Sequence, residues 1–269
     1  MIVHIEWKTV YRYTQPVRQL HSEVCLLPGD RPSGQKLLHG TVATTPDAEA
    51  RPYMDIFGNT VHHLDFVQPV DHLSVHVQAE VQSGMGHEPE HRLPPLLEHL
   101  YLQPTPRAPH EHEDVRLFAR EFDWHGSDAL RTSARLNEFL PKRLRFVVGA
   151  TEVSATAVDF LQAGAGVCQD YAHLFIAMLR ARRIPARYVS GYLANASGEI
   201  NADASHAWVQ VLVDGVWHGF DPANGSPQDE RYVITAVGRD YDDIPPVRGT
   251  YRGTASEEWT TSVRIAAAS

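Results

Sequence analysis

The sequence predicts an α+β protein in which a small antiparallel β-sandwich precedes a core with one buried helix and an antiparallel hairpin. Three observations predict this class. About the first 85 residues contain short β-branched and aromatic segments, several of which alternate polar and apolar residues. A run that begins at Cys168 is apolar nearly all round, as in a buried helix. Asp214-Gly215 is a strong two-residue turn signal between β-rich segments at 206–213 and 216–221.

Composition limits the classes of partner. The 269 residues carry a formal net charge of −9 and no run rich in lysine or arginine, which argues against a nucleic acid or an anionic membrane as partner. No apolar run approaches the roughly 20 residues of a membrane helix. The first eight residues lack a basic region and a long apolar core, so they are interpreted as a strand, and we expect a cytoplasmic protein that needs no cofactor.

The chain has two cysteines, Cys25 and Cys168. This count excludes a disulfide framework and a zinc site built from cysteines alone. A reducing compartment would keep Cys168 free. Cys25 lies in an apolar, strand-like run, so we expect it to pack in the core.

Strands are predicted for the N-terminal region by β-rich segments separated by turn signals. The segments are 9–13, 36–42, 60–67 and 73–81, and the turn signals are 28–32, 45–47 and 57–59. A proline-rich stretch over 88–109 predicts an extended connector. The predicted domains are therefore a β-sandwich at 1–100, a core at 101–238 and a tail at 239–269. Ser256–Ile265 has strand composition, and we expect it to return to the sandwich.

Three helices are predicted before the cysteine. The first follows His110 on an apolar face that includes Val115 and Phe122, the second spans 129–143 and ends near Pro141, and the third spans 156–163. A short strand is predicted at 146–149. His110 and His112 do not share a helix face, so an acidic helix start is favoured over a metal site there.

Cys168 follows a small, glycine-punctuated loop and stands at the start of the buried helix. Unpaired backbone N–H groups and the positive end of the helix dipole favour a thiolate at such a position. The alternative is that Cys168 is one more small buried hydrophobic residue. The helix is predicted to reach the arginines at 180–183, where cations suit a C-terminus, before Pro185 prevents its continuation.

The hairpin supplies a candidate base and the group that orients it. If Asp214 and Gly215 form the loop, Val213 faces Val216 and Asp221 lies opposite Trp208. Asp221 then shares a face with His206 as its diagonal neighbour, within reach of an imidazole-to-carboxylate hydrogen bond. A strand at 187–193 and a polar loop at 194–204 precede the hairpin. A bulge would break this inference.

Four motifs together resemble the transglutaminase-like superfamily in its bacterial branch. They are Gly166–His173, Gly191-Tyr192, Ser205–Val209 and Gly219–Gly225. Three further segments resemble the β-rich N-terminal domain and the tail that accompany that core: Tyr11–Val17, Asp55–Asn59 and Gly238–Gly249. The resemblance therefore spans almost the whole chain.

The resemblance implies a papain-like core, with its central helix packed on an antiparallel sheet, and a catalytic triad of Cys168, His206 and Asp221. The family includes cross-linking enzymes, peptidases and catalytically inactive scaffolds, so it defines the site more firmly than the reaction. The calcium dependence of animal members is not carried over, because no acidic loop of this chain aligns with theirs.

The leading hypothesis is acyl transfer from a peptide or protein substrate through a thioester on Cys168, with water as the preferred acceptor. Three alternatives remain open. A primary amine could accept the acyl group, the fold could bind peptides without turnover, or His206 and Asp221 could hold a metal with His173 or His218. The register predicts that His218 faces away, opposite Val211. His173 is expected to be structural, and Trp208, although expected in the core, shares the catalytic face.

Overall fold

The structure is a computed structural model that describes residues 1–89, 93–124, 126, 128–194 and 205–267. The polar loop predicted at 194–204 therefore lies, apart from Ala194, outside the described residues. Within the described ranges, no helix has both the length and the apolar character needed to cross a bilayer.

The chain contains fifteen strands and five α-helices in its described part. The strands are β1 (Ile2–Val24), β2 (Lys36–Thr45), β3 (Arg51–Met54), β4 (Thr60–Phe66), β5 (Val70–Gln82), β6 (His87–Pro89), β7 (Arg145–Phe146), β8 (Ala165–Gly166), β9 (Ala186–Leu193), β10 (His206–Val213), β11 (Val216–Asp221), β12 (Ser226–Pro227), β13 (Tyr232–Gly238), β14 (Val247–Arg252) and β15 (Glu257–Ala267). The helices are α1 (Pro95–Leu100), α2 (Glu113–Ala119), α3 (Ala129–Arg143), α4 (Ala157–Ala163) and α5 (Cys168–Arg180).

The N-terminal sheet is organised around β1. Its strand order is β2-β5-β1-β4-β3, and β14 and β15 also pair with β1, all antiparallel. The first half of β1 lies between β5 and β15, and its last residues lie between β4 and β14. Alternate residues such as Val3, Ile5 and Trp7 are buried, so the polar/apolar alternation correctly predicts a half-buried sheet.

The second sheet has the order β12-β11-β10-β9-β13, with β6 paired to β11. Helix α5 packs on β9 and β10, and every residue from Asp170 to Arg180 is buried. The predicted fold class, an antiparallel β domain followed by a helix packed on an antiparallel sheet, is confirmed. The division into domains at residues 100 and 238 stays a prediction.

Several local predictions differ from the structure. The connector predicted over 88–109 contains α1, which begins with Pro95 at its first position, where a missing N–H costs nothing. Helix α3 spans the predicted residues Ala129–Arg143, but Pro141 lies inside it and does not end it. The strand predicted at 146–149 is the two-residue β7. Strand β13 has no counterpart among the predicted elements.

The run of arginines suggests that Arg180 lies at a solvent-exposed end of α5. The structure places it differently. Its side chain is fully buried and donates hydrogen bonds to the carbonyl oxygens of Gln103, Ala186 and Arg239. A guanidinium has five donors in a fixed fork, so one side chain can bind three separate backbone segments. Arg180 therefore joins the end of α5 to three backbone segments around it, one of which is the start of β9.

Two buried amides join the sheets along β13. The Gln35 side chain donates to the Ile234 carbonyl and accepts from the Ile234 N–H, both at 2.8 Å. The Asn59 side chain makes the same pair of contacts with Val237, also at 2.8 Å. Within the described residues, strand β13 is an edge strand, so its outer N–H and carbonyl groups have no strand to pair with. Each amide supplies partners for one of its residues.

Candidate active site

The loop before α5 fixes the position of Cys168. Gly164 ends α4 in the left-handed region, with φ of 63°. A Cβ on Gly166 would lie 2.5 Å from Asp170 Oδ2 and 2.7 Å from the Phe160 ring, so glycine alone fits there. The Asp170 carboxylate accepts hydrogen bonds from the Val167 N–H at 2.8 Å and the Thr151 hydroxyl at 2.6 Å. Cys168 is consequently held as the first residue of the helix.

The hairpin has the register that the turn signal predicts. Val213 pairs with Val216 and Val209 with Phe220, so Asp221 follows on the strand opposite Trp208. His206 Nε2 lies 2.6 Å from Asp221 Oδ2. The diagonal pair inferred from the sequence is therefore present in the structure.

Asp221 is fully buried and surrounded by donors. Its Oδ1 accepts the backbone N–H groups of Ala223 and Asn224, both at 3.1 Å. Its Oδ2 accepts the Asn224 side-chain amide at 2.7 Å, the Tyr232 hydroxyl at 2.8 Å and His206. Burial alone would raise the pKa of Asp221, but these hydrogen bonds hold the pKa below its ordinary value of 3.8. The group is an ionised acceptor.

His206 contacts both other candidate residues. Because the ionised Asp221 can only accept, His206 Nε2 carries a proton and donates it. The Cys168 side chain forms a hydrogen bond with the same ring, and Nδ1 is the nitrogen left for it. Burial lowers the pKa of His206, but the interactions with Asp221 and Cys168 outweigh this effect and raise the pKa to about 10. The arrangement therefore favours an imidazolium beside the sulfur.

Solvent reaches this group from one side. Cys168 is half-buried, the His206 side chain is 16% exposed, and the Asp221 side chain is inaccessible. The sulfur and the outer part of the imidazole thus face the surface, while the carboxylate lies beneath them. A substrate can approach the thiol without displacing the residue that orients the ring.

Aromatic side chains hold the imidazole from below. The Trp208 ring stacks on His206 with 6.0 Å between ring centroids, and Tyr232 packs against both rings. Tyr232 is a site residue that sequence reasoning misses, since nothing in the sequence registers β13 against the hairpin. The motif that includes Asn224 is recognised in the sequence, but its contact with Asp221 becomes visible only in the structure.

The other residues considered in the sequence have separate places. Cys25 is buried, and burial raises the pKa of its thiol to about 12. His173 is also buried; its Nε2 accepts the Tyr241 N–H at 3.2 Å, and burial lowers its pKa to about 3. Among the described residues, neither His173 nor His218 joins His206 and Asp221 in a group able to hold a metal. The structure therefore does not bring together the ligand set of the metal-hydrolase alternative.

Comparisons with known proteins identify the family of this chain. Residues 117–222 match the sequence model of the transglutaminase-like superfamily, and residues 3–82 match that of the bacterial transglutaminase-like N-terminal region. An uncharacterized protein of Mycobacterium leprae is 30% identical over 278 aligned positions, which cover 98% of this chain and 97% of that protein.

Two further similarities are to part of a second sequence relative and to the fold of a solved structure. An uncharacterized protein of Mycobacterium tuberculosis strain H37Rv is 44% identical over 111 residues, which are 38% of this chain and 35% of that protein. The crystal structure of a "Putative Cysteine Protease from Cytophaga hutchinsonii" superimposes with a TM-score of 0.80. It is 22% identical, and the superposition covers 99% of this chain and 90% of that one. This last similarity concerns the fold.

Proposed function

Because this chain belongs to the transglutaminase-like superfamily, a family of cysteine enzymes, we propose that it hydrolyses amide bonds of peptides or proteins through a thioester on Cys168. The observation that carries the proposal is the placement of His206, whose two ring nitrogens face Cys168 and Asp221. Such a base between a nucleophile and a buried carboxylate is the arrangement of nucleophilic acyl transfer.

Acylation begins with a proton on His206 Nδ1 and a thiolate on Cys168. The sulfur attacks the amide carbonyl carbon and forms the C–S bond. The C–N bond then breaks, and Nδ1 gives its proton to the departing amine. Asp221 keeps Nε2 protonated throughout, so Nδ1 is the nitrogen that exchanges protons.

The start of α5 stabilises the negative oxygen of the intermediate. The first N–H groups of a helix have no acceptor within it, and that of Cys168 is one of them. It is adjacent to the reacting sulfur, where an oxyanion donor contributes about 10²–10³ in rate. In deacylation, Nδ1 takes a proton from water, the C–O bond forms, the C–S bond breaks and the thiolate returns.

Hydrolysis is favoured over transfer to an amine because the site reaches solvent. Transfer requires that the acyl-enzyme survive until an amine arrives, and this needs walls that exclude water. Cys168 and the outer part of His206 are accessible instead. Water then competes for the thioester at all times.

The test is an assay with a library of end-blocked peptides, with and without a primary amine, and with mass spectrometry of the products. We expect cleaved peptides that have gained the elements of water in both conditions. If every product carried the added amine and none had gained water, the reaction would be transfer to the amine and not hydrolysis. Cys168→Ala and Cys25→Ala form a matched pair, and activity lost only in Cys168→Ala supports the thioester route. Intact peptides with both wild type and Cys25→Ala would contradict the proposal.

A further inference from the structure

We propose that His21, His63 and Asp65 form a binding site for one divalent metal ion of the Zn²⁺ type on the outer face of the N-terminal sheet. This group is independent of the candidate active site. It lies on β1 and β4, whereas Cys168, His206 and Asp221 lie on α5, β10 and β11.

Strand geometry places the three side chains together. His63 and Asp65 stand two residues apart on β4, so they share a face. His21 on β1 is the direct cross-strand partner of Asp65 in the antiparallel pairing. The same pairing places Glu23 opposite His63. The rigid sheet thus fixes the spacing of the three ligands before any ion arrives.

The three potential ligand atoms lie close together. Asp65 Oδ1 lies 2.5 Å from His21 Nδ1 and 2.9 Å from His63 Nε2, and the three ligand atoms lie within 4.8 Å of one another. In a tetrahedral zinc site with bonds of about 2.0–2.2 Å, neighbouring ligand atoms stand roughly 3.3 Å apart. A bound ion would replace the two hydrogen bonds to Asp65 Oδ1 by bonds to the metal.

The ligand set suits a borderline metal. Two imidazoles and one carboxylate bind Zn²⁺ and related first-row ions, whereas Mg²⁺ and Ca²⁺ prefer oxygen ligands throughout. Three protein ligands leave a fourth position for water. The side chains of His21, His63 and Asp65 are 55%, 35% and 36% exposed, so an ion reaches them directly from solvent.

The charges around the cluster permit a cation. Arg51 is paired with His63 across β3 and β4, and its guanidinium is engaged by Glu49 at 3.1 Å. Arg248 on β14 is engaged by Glu23 at 2.6 Å. Each neighbouring arginine therefore has its own carboxylate, and Asp65 remains to balance the ion.

A bound ion would cross-link β1 to β4. Strand β1 also pairs with β5, β14 and β15, so a bond at His21 stabilises the strand on which the sheet is built. Since metal binds only the folded arrangement, it raises stability by linkage. Binding also requires neutral imidazoles, so the affinity should fall at acidic pH.

The experiment titrates Zn²⁺ into the full-length chain and measures stoichiometry, affinity and thermal midpoint. A Cys168→Ala background removes the sulfur beside His206, because a cysteine sulfur can itself bind zinc. In this background we expect one equivalent of Zn²⁺ to bind and the thermal midpoint of unfolding to rise. His63→Ala should weaken binding at least tenfold and remove the rise. His72→Ala changes another exposed histidine beside an aspartate, so it is the matched control and should change neither.

Two results would overturn the proposal. One is equal zinc affinity in His63→Ala and its parent, and the other is an absence of stoichiometric binding in the parent. If His63→Ala does not fold, His21→Ala takes its place, because that side chain is the most exposed of the three. Co²⁺ supplies a spectroscopic readout: d–d bands that disappear in the His21 variant support coordination there.

Discussion

The hydroxyl of Tyr232 donates to Asp221 Oδ2 at 2.8 Å, the same oxygen that accepts His206 Nε2. Tyr232 begins β13, an edge strand of the core sheet, whereas Asp221 ends β11 on the far side of β9 and β10. The hydrogen bond therefore connects two strands that do not pair, and it holds the carboxylate that contacts His206.

We predict that Tyr232→Phe lowers kcat about tenfold with little change in KM. The substitution removes one hydrogen bond to a charged group, of about 1.5–3 kcal/mol, and leaves the ring in place. Steady-state kinetics on a cleaved peptide measures the effect. Tyr192→Phe is the matched control, because its hydroxyl donates to the Leu26 carbonyl away from the site. Equal losses in both variants would mean that Tyr232 only supports packing.

We predict that Gly166→Ala lowers activity more than tenfold and destabilises the fold by about 1–3 kcal/mol. The added Cβ would press on Asp170 Oδ2 and Phe160, which displaces the carboxylate that caps α5 at Val167. Activity and urea unfolding measure the two effects. Gly29→Ala is the control, since its Cβ would meet Thr60 Oγ1 at an ordinary 3.9 Å. An active, stable Gly166→Ala would show that this contact does not position Cys168.

The stability supplied by the His206 cation should depend on pH in a defined direction. Its pKa is raised from 6.5 to about 10, so the contribution is complete below about pH 6.5 and is lost as the pH rises through about 10. Asp221 has a lowered pKa, so its contribution is present above pH 3.8 and is lost only as the pH falls further.

The free energies of unfolding of wild type and His206→Gln measure this dependence. We expect the difference between them to be larger at pH 7 than at pH 10.5. A difference that stays constant across this range would show that His206 is not held as a cation. Apart from Cys168, which titrates together with His206, both proteins contain the same other titrating groups, and those groups largely cancel in the comparison.

We predict that Gln35→Ala destabilises the protein by about 2–6 kcal/mol. The Ile234 N–H and carbonyl would lose their partner in a buried environment, at about 1–3 kcal/mol for each group. Urea unfolding measures the loss. Gln15→Ala is the control, because Gln15 makes an exposed hydrogen bond to Thr254. A loss no larger than that of the control would mean that Gln35 does not secure β13.

The sequence predicts the parts of the site that depend on local rules. An Asp-Gly turn sets the hairpin register, and the register alone places Asp221 beside His206. A glycine loop before an apolar run places Cys168 at a helix start. The class of fold follows from the same patterns.

What the sequence does not reveal depends on long-range packing. Tyr232 lies 11 residues from Asp221 along the chain, and no turn signal registers β13 against the hairpin. The burial of Arg180 depends on three separate backbone segments that converge at the end of α5. The side-chain amides of Gln35 and Asn59 contact residues of β13 that are 199 and 178 positions away in the sequence. No local pattern encodes such contacts.

The rate of iodoacetamide alkylation of Cys168 as a function of pH shows whether Cys168 and His206 form a thiolate–imidazolium pair. It is measured by intact mass with site mapping in wild type and in His206→Ala. We expect fast labelling that persists to about pH 6 in wild type and is lost in the variant, because an imidazolium stabilises a neighbouring thiolate. Labelling that follows an ordinary thiol, near pH ~8.5, in both proteins would contradict an assembled thiolate–imidazolium pair.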